Sequence, residues 1–107
     1  MGREFETIQI LLKCWVLLNH GAINIGNNKE AISIIQNWFS NTIPGENFQN
    51  NKPFFKLITG IYSNKEIFTL LENATLERKD GGYSLEVSSE IGTFGYPEPE
   101  GMRKFWY

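Results

Sequence analysis

At 107 residues the chain has the length of one domain, 1–107, and its 41% hydrophobic and 14% aromatic content excludes global disorder. Ten Lys and Arg against twelve Asp and Glu leave a net charge of −2, which excludes a surface built to hold nucleic-acid backbone, because that task requires a basic surplus on one face. The one cysteine, Cys14, excludes an intramolecular disulfide and fits a reducing compartment, so a cytoplasmic location is expected.

Phe5, Ile8, Leu11, Leu12, Trp15 and Leu18 recur at spacings of three and four and predict a helix from about Arg3 to Asn19. Ile10 and Leu17 lie off that stripe, so the helix is expected to be covered on more than one side. Its apolar run is interrupted by Gln9 and Lys13, is too short to cross a bilayer and lacks a small-residue cleavage site, so neither membrane insertion nor a signal peptide is expected. His20 and Gly21 end the helix, a basic residue at the negative end of the dipole and a glycine for the left-handed cap. In Ala22 to Gly26, Ile23 and Ile25 alternate with Asn24 and permit a brief edge strand.

Asn27 followed by Glu30 predicts a capped second helix, with Ala31, Ile34, Ile35, Trp38 and Phe39 on its buried side. Ser40 to Lys52 is rich in Asn, Gly and Pro, with Ile43 and Phe48 as apolar anchors. It reads as a long ordered loop, either a contact surface or a plain excursion. Pro53 suits the first turn of a third helix that buries Phe54, Leu57, Ile58 and Ile61, and Gly60 near its end marks fraying or close packing. Ser63 and Glu66 form the pattern of a capping box for a fourth helix reaching Asn73, with a sharp corner at Tyr62 and Ser63.

From Thr75 the apolar period changes to two. Thr75 to Arg78 and Tyr83 to Ser88 flank Lys79-Asp80-Gly81-Gly82 and predict a hairpin, with Tyr83, Leu85 and Val87 inward and Ser84, Glu86 and Ser88 outward. Pro97 to Gly101 is a stiff extended tract, and Met102 to Tyr107 reads as the final strand. The fold class expected is α+β, about four N-terminal helices followed by a small C-terminal antiparallel sheet made of the hairpin plus that strand.

Catalytic chemistry finds little material. His20 and Cys14, six apart on a helix, do not share a face as a nucleophile and base would. No ligand spacing for zinc or calcium and no phosphate-cradling glycine motif occurs, so no catalytic, metal or cofactor site is expected. Glu98 and Glu100 point the same way in an extended tract, exposed and mutually repelling, which suits a solvated surface better than an acid-base pair.

Residues 1–80 balance eight acids against eight bases, so the negative surplus lies in the last quarter, with Glu86, Glu90, Glu98 and Glu100. These glutamates are interleaved with aromatics, Tyr96 among them, and Tyr and Trp are residue types that anchor interfaces. Glu86, Glu90, Tyr96, Glu98 and Glu100 are therefore the candidate partner-binding residues, suited to a basic partner. An ordinary solvated acidic face is the competing expectation.

In size and character the whole chain resembles the immunity proteins of bacterial contact-dependent growth inhibition and related polymorphic toxin systems. They are small, cytoplasmic, cysteine-poor, mildly acidic single domains. The resemblance has no defining motif and carries no residue across. It implies a non-enzymatic protein that neutralises a cognate toxin domain, often a nuclease; that the toxin surface is basic and that Glu86, Glu90, Glu98 and Glu100 occlude its active site is the expectation from charge. The alternative is a structural or accessory subunit of a larger bacterial or phage assembly, burying a broad apolar patch. A third class, an enzyme of unrecognised type, would need a concave pocket of polar side chains that the sequence gives no reason to expect. Glutamates clustered on one face favour the inhibitor, and glutamates dispersed favour the other two.

Overall fold

The computed structural model describes residues 2–46 and 48–106, with side chains at 6–46 and 49–106. Among these residues four helices, α1 Gly2–Asn19, α2 Asn28–Asn41, α3 Lys52–Ser63 and α4 Lys65–Asn73, precede three strands, β1 Thr75–Lys79, β2 Gly82–Ser88 and β3 Gly92–Pro97. The strands form one antiparallel sheet in the order β1-β2-β3. This is the expected α+β layout. The side chains of Phe5 in the first helix's stripe and of Phe48 in the loop, and Tyr107 of the expected final strand, lie outside what is described.

From Ile10 to Leu18 every residue of α1 is buried, which covers all sides of the helix. Such a helix must be surrounded, and α2, α4, β2 and β3 pack around it. A Schellman motif then stops it: Ala22 N–H reaches Leu17 O (2.9 Å), Gly21 N–H reaches Leu18 O (3.1 Å), and Gly21 takes φ +67°.

The next three helices start on asparagine caps. Asn27, Asn51 and Asn64 accept the backbone N–H of Glu30, Phe54 and Ile67 respectively. The cap of α4 is a correction, since the sequence pattern pointed to Ser63. α3 runs through Ser63, whose hydroxyl bonds back to the Thr59 carbonyl, so Asn64 both ends α3 and opens α4. Ala22 to Gly26 forms no strand. Asn28 instead bonds to the backbone of Ile23 and Ile25, satisfying groups that a strand partner would have taken.

A larger correction concerns the C-terminus. The third strand is Gly92–Pro97, returning directly from β2 with a bulge between Glu86 and Ser88, and Met102–Phe105 forms a short 3-10 helix in place of the expected strand. Pro97 lacks an N–H and tolerates the edge position. That edge is closed by α1, because Trp15 Nε1–H donates to Pro97 O (3.3 Å) and His20 Nε2–H donates to Gly95 O (2.6 Å). The 3-10 helix docks on α2: Phe105 stacks on Trp38 with ring centroids 5.3 Å apart, and Met102 is fully buried.

Gly101 lets this segment approach. Its φ is +85°, and a Cβ there would lie 2.5 Å from Phe39 O and 2.8 Å from Ser40 Cα. Gly60 of α3 contrasts with it, being exposed with ordinary φ and open space where a Cβ would go, so it marks neither close packing nor a break.

Gly101→Ala should therefore cost ~2 kcal/mol or more, combining left-handed strain and backbone collision. Gly60→Ala should stabilise by about 0.5–1 kcal/mol. Urea unfolding midpoints of the two variants read both. Cys14 gives a pH prediction: burial pushes its thiol from the ordinary 9.0 up to about 12. The unfolded chain thus releases this proton first, so the contribution is intact below pH 9.0 and is lost as pH rises towards 12. Stability should fall by up to about 1.4 kcal/mol per pH unit through this group. Cys14→Ala should flatten the curve above pH 9, as measured by denaturation at stepped pH.

Candidate functional site

Residues opposite one another in an antiparallel sheet share a face. The register therefore turns Tyr83, Leu85, Phe94 and Tyr96 inward, and Glu86 outward with its partners Thr75 and Thr93. Tyr96 meets Trp15 and His20 of the α1 end edge-on, at centroid distances of 5.9 and 5.7 Å. It is a packing residue between sheet and helix.

The glutamates are not gathered together. Glu86 stands on the polar outer face of the sheet and Glu90 in the turn after β2, both exposed. Glu98 follows β3 at the far end. β2 runs from Gly82, beside Pro97, to Ser88, beside Gly92, so Glu90 and Glu98 lie at opposite ends of a strand pair roughly 20 Å long. Glu100 is exposed next to α2, where its backbone carbonyl accepts a bond from Ser40 Oγ.

Glu98 is also occupied. Its side chain is only 18% exposed and sits between Arg78 Nη2 (3.5 Å) and Arg103 Nε (3.6 Å). Tyr83 donates its hydroxyl proton to Glu98 Oε2 (2.8 Å), and Trp106 Nε1–H donates to the Tyr83 oxygen (2.6 Å). Arg78 lies over the Trp106 ring at 5.3 Å. Burial first, and then the bond and charge of Glu98, hold the Tyr83 hydroxyl well above the usual tyrosine range. It stays protonated and keeps donating. This network clamps the C-terminal segment to the sheet and leaves Glu98 little charge to offer a partner.

The other chemistry-bearing side chains are likewise engaged. His20 is committed to the β3 edge and rests on Phe94, with centroids 5.3 Å apart. Cys14 is buried as a neutral thiol. Lys13 is buried on α1, where desolvation lowers its pKa and the charge of Glu72 opposes that shift. Among the described residues no group of three His, Cys, Asp or Glu side chains could hold a metal, and no helix is long and apolar enough to cross a membrane.

The apolar surface lies elsewhere. Four large hydrophobic side chains are exposed among the described residues, and three of them, Ile43 (70%), Phe55 (39%) and Tyr62 (41%), fall in the segment that ends in α3. Ile43 begins a tight turn through Pro44 and Gly45, closed by Glu46 N–H to Ile43 O (2.9 Å) and by Ile43 N–H to Glu46 Oε1 (3.1 Å). This Pro-Gly turn, held by two bonds, turns Ile43 out to solvent.

At about 100° per residue, Lys52, Lys56, Thr59 and Ser63 line the outward face of α3, with Phe55 and Tyr62 on one flank. On the other flank lies a groove of about 730 Å³ between α2 and α3, with Ala31, Ile34, Pro53, Leu57 and Gly60 among its lining residues. The two helices run antiparallel, because Trp38 near the end of α2 stacks on Phe54 near the start of α3, 4.4 Å apart at 8°. Sequence reasoning missed this groove. Its trace is the open position at Gly60, which only the packed pair of helices turns into a concavity.

Comparison of the chain with protein-family models, with curated proteins and with solved structures gives no match in any of the three.

Glu98→Ala should lower stability by about 1–2 kcal/mol, since it leaves the part-buried Tyr83 hydroxyl without its acceptor, while the exposed Arg78 and Arg103 guanidinium groups turn to water. Tyr83→Phe should cost ~1 kcal/mol, and the double variant should show coupling of at least about 0.5 kcal/mol. Chemical unfolding of the four proteins supplies the cycle. A loss below about 0.5 kcal/mol for Glu98→Ala would class it with ordinary surface acids.

Proposed function

We propose that this chain acts by binding another protein through the outward face of α3 and the turn before it, performing no chemistry of its own. The observation that supports this reading is the concentration of exposed apolar side chains in one segment, Ile43 in the turn and Phe55 and Tyr62 on the flank of α3 opposite the apolar groove. Interface cores are built of such residues, aromatic and aliphatic anchors with charges kept to the rim.

The role we assign is immunity, in line with the size and character of the chain: it covers the active site of a cognate toxin domain, a nuclease, in the cytoplasm. The acidic route to that partner is weakened by the positions of its residues. Tyr96 faces α1 and Glu98 is paired, which leaves Glu86, Glu90 and Glu100 as separate exposed acids. The second reading is an accessory subunit of a larger assembly. The dispersal of the glutamates favours it, and its α3 face would be buried permanently.

The purified protein should be mixed with the product of the adjacent upstream gene, and nuclease activity followed as a function of molar ratio. Immunity predicts activity that vanishes at a stoichiometric ratio. An Ile43→Asp variant should need roughly tenfold more protein, as expected for loss of an interface anchor worth about 1–2 kcal/mol. A partner that binds with its activity untouched would shift the assignment to the accessory subunit, and the absence of binding would overturn the immunity role.

A further inference from the structure

The groove between α2 and α3 has a chemistry of its own that narrows what it can hold. Its floor is apolar, from Ala31, Ile34 and Leu57, and it stays open at Gly60, where a Cβ would meet nothing within 4 Å. The rims differ in charge. α3 carries Lys52 and Lys56 and no acidic residue, and neither lysine forms an ion pair among the described residues. On the α2 rim stands Glu30, whose backbone N–H is taken by the Asn27 cap.

Ile25, Gly26 and Asn27 of the loop before α2 line part of the groove, and the rest of the wall is helix, whose backbone groups are already paired with one another. An extended peptide laid on them would find few backbone partners, and its own N–H and C=O groups would face an apolar floor. A helical peptide brings its backbone bonds with it and offers an apolar stripe to the floor. From Lys52 to Gly60 the α3 rim is ~12 Å long, about two helical turns.

We propose that this groove is the docking site for an amphipathic helix of the partner protein, with carboxylates on the flank facing Lys52 and Lys56. The inference rests on the protein-binding reading above and specifies the chemistry of what is bound. The apolar stripe of the helix lies over Ala31, Ile34 and Leu57, and a residue of its final turn occupies the space at Gly60. Glu30 meets the opposite flank, where a Lys or Arg of the helix completes the charge match and fixes its orientation.

Two stapled helical peptides of about 14 residues, long enough to hold a helix, test this. Both carry Leu at i, i+4 and i+7; one has Glu on the flank facing α3 and the other has Lys. Titration into 15N-labelled protein should move the amide signals of Ala31, Ile34, Leu57 and Gly60 with the Glu peptide, which should bind at least roughly tenfold more tightly than the Lys peptide. The Lys52→Glu/Lys56→Glu double variant should reverse that preference. Gly60→Leu should abolish binding by filling the groove. This variant is expected to fold at least as well as the parent, because the position has ordinary φ and open space, so thermal unfolding serves as its control.

Equal affinity for both peptides, binding unaffected by Gly60→Leu, no binding, or self-association of the chain that Gly60→Leu removes would each overturn the proposal. The toxin assay separates the two claims. Full inhibition by Gly60→Leu would sink the groove and leave the immunity role standing, whereas a parent protein that inhibits nothing would sink the immunity role without touching the peptide result.

Discussion

The arrangement of this fold depends on a helix whose second half, Ile10 to Leu18, has no solvent side. Nine consecutive residues of α1, Ile10 to Leu18, are buried, and even Lys13 among them is enclosed while the charge of Glu72 acts on its ammonium. An amphipathic helix needs one neighbour; this one needs a sleeve. The hydrophobic penalty of exposing Leu11, Leu12, Val16 or Leu17, ~2 kcal/mol apiece, draws α2, α4 and the inner face of the sheet around it. The same helix also seals the sheet, since Trp15 and His20 occupy carbonyls on the open edge of β3 that would otherwise invite another strand.

The second constraint is how the C-terminal segment is held. A 3-10 helix has little cohesion of its own, so its position depends on what it touches. Phe105 stacks on Trp38, which stacks in turn on Phe54, so one indole ties together α2, α3 and the end of the described chain. The Gly101 backbone lies against that of α2, and the Glu98 network fastens the approach to it. A carboxylate that accepts a phenol proton and faces two guanidinium groups works as a fastener. Its charge is used internally, and this is the physical reason an acidic stretch in the sequence does not become an acidic surface.

With most of α1 enclosed and the sheet showing a polar outer face of Thr, Ser and Glu, three of the four large exposed apolar side chains among the described residues are carried by α3 and the turn before it, the fourth being Ile91 in the turn after β2. α3 buries Phe54, Leu57, Ile58 and Ile61 on one side and still exposes Phe55 and Tyr62. Its missing acidic residues and its glycine give the α2–α3 groove both charge and depth. The division is an economical one: the element richest in apolar residues is hidden, and a moderately apolar element is left facing outward.

Periodicity and local chemistry were enough to determine the four helices, their order before the sheet, the Asn27 cap, the glycine stop after α1 and the inward set Tyr83, Leu85 and Val87, because these depend on contacts between residues close in sequence. Reading failed where the decision lay with distant partners. Ser63 and Asn64 are both good caps, and the length of α3 chose between them. Gly92 to Pro97 alternates as a strand should, but its two glycines obscured the pattern, while the aromatic tail after Met102 imitated a strand until Trp38 offered it a stacking surface. The pairing of Glu98 with Arg78, the inward turn of Tyr96 and the open space at Gly60 are likewise settled only when strand register and helix packing bring together residues far apart in the chain.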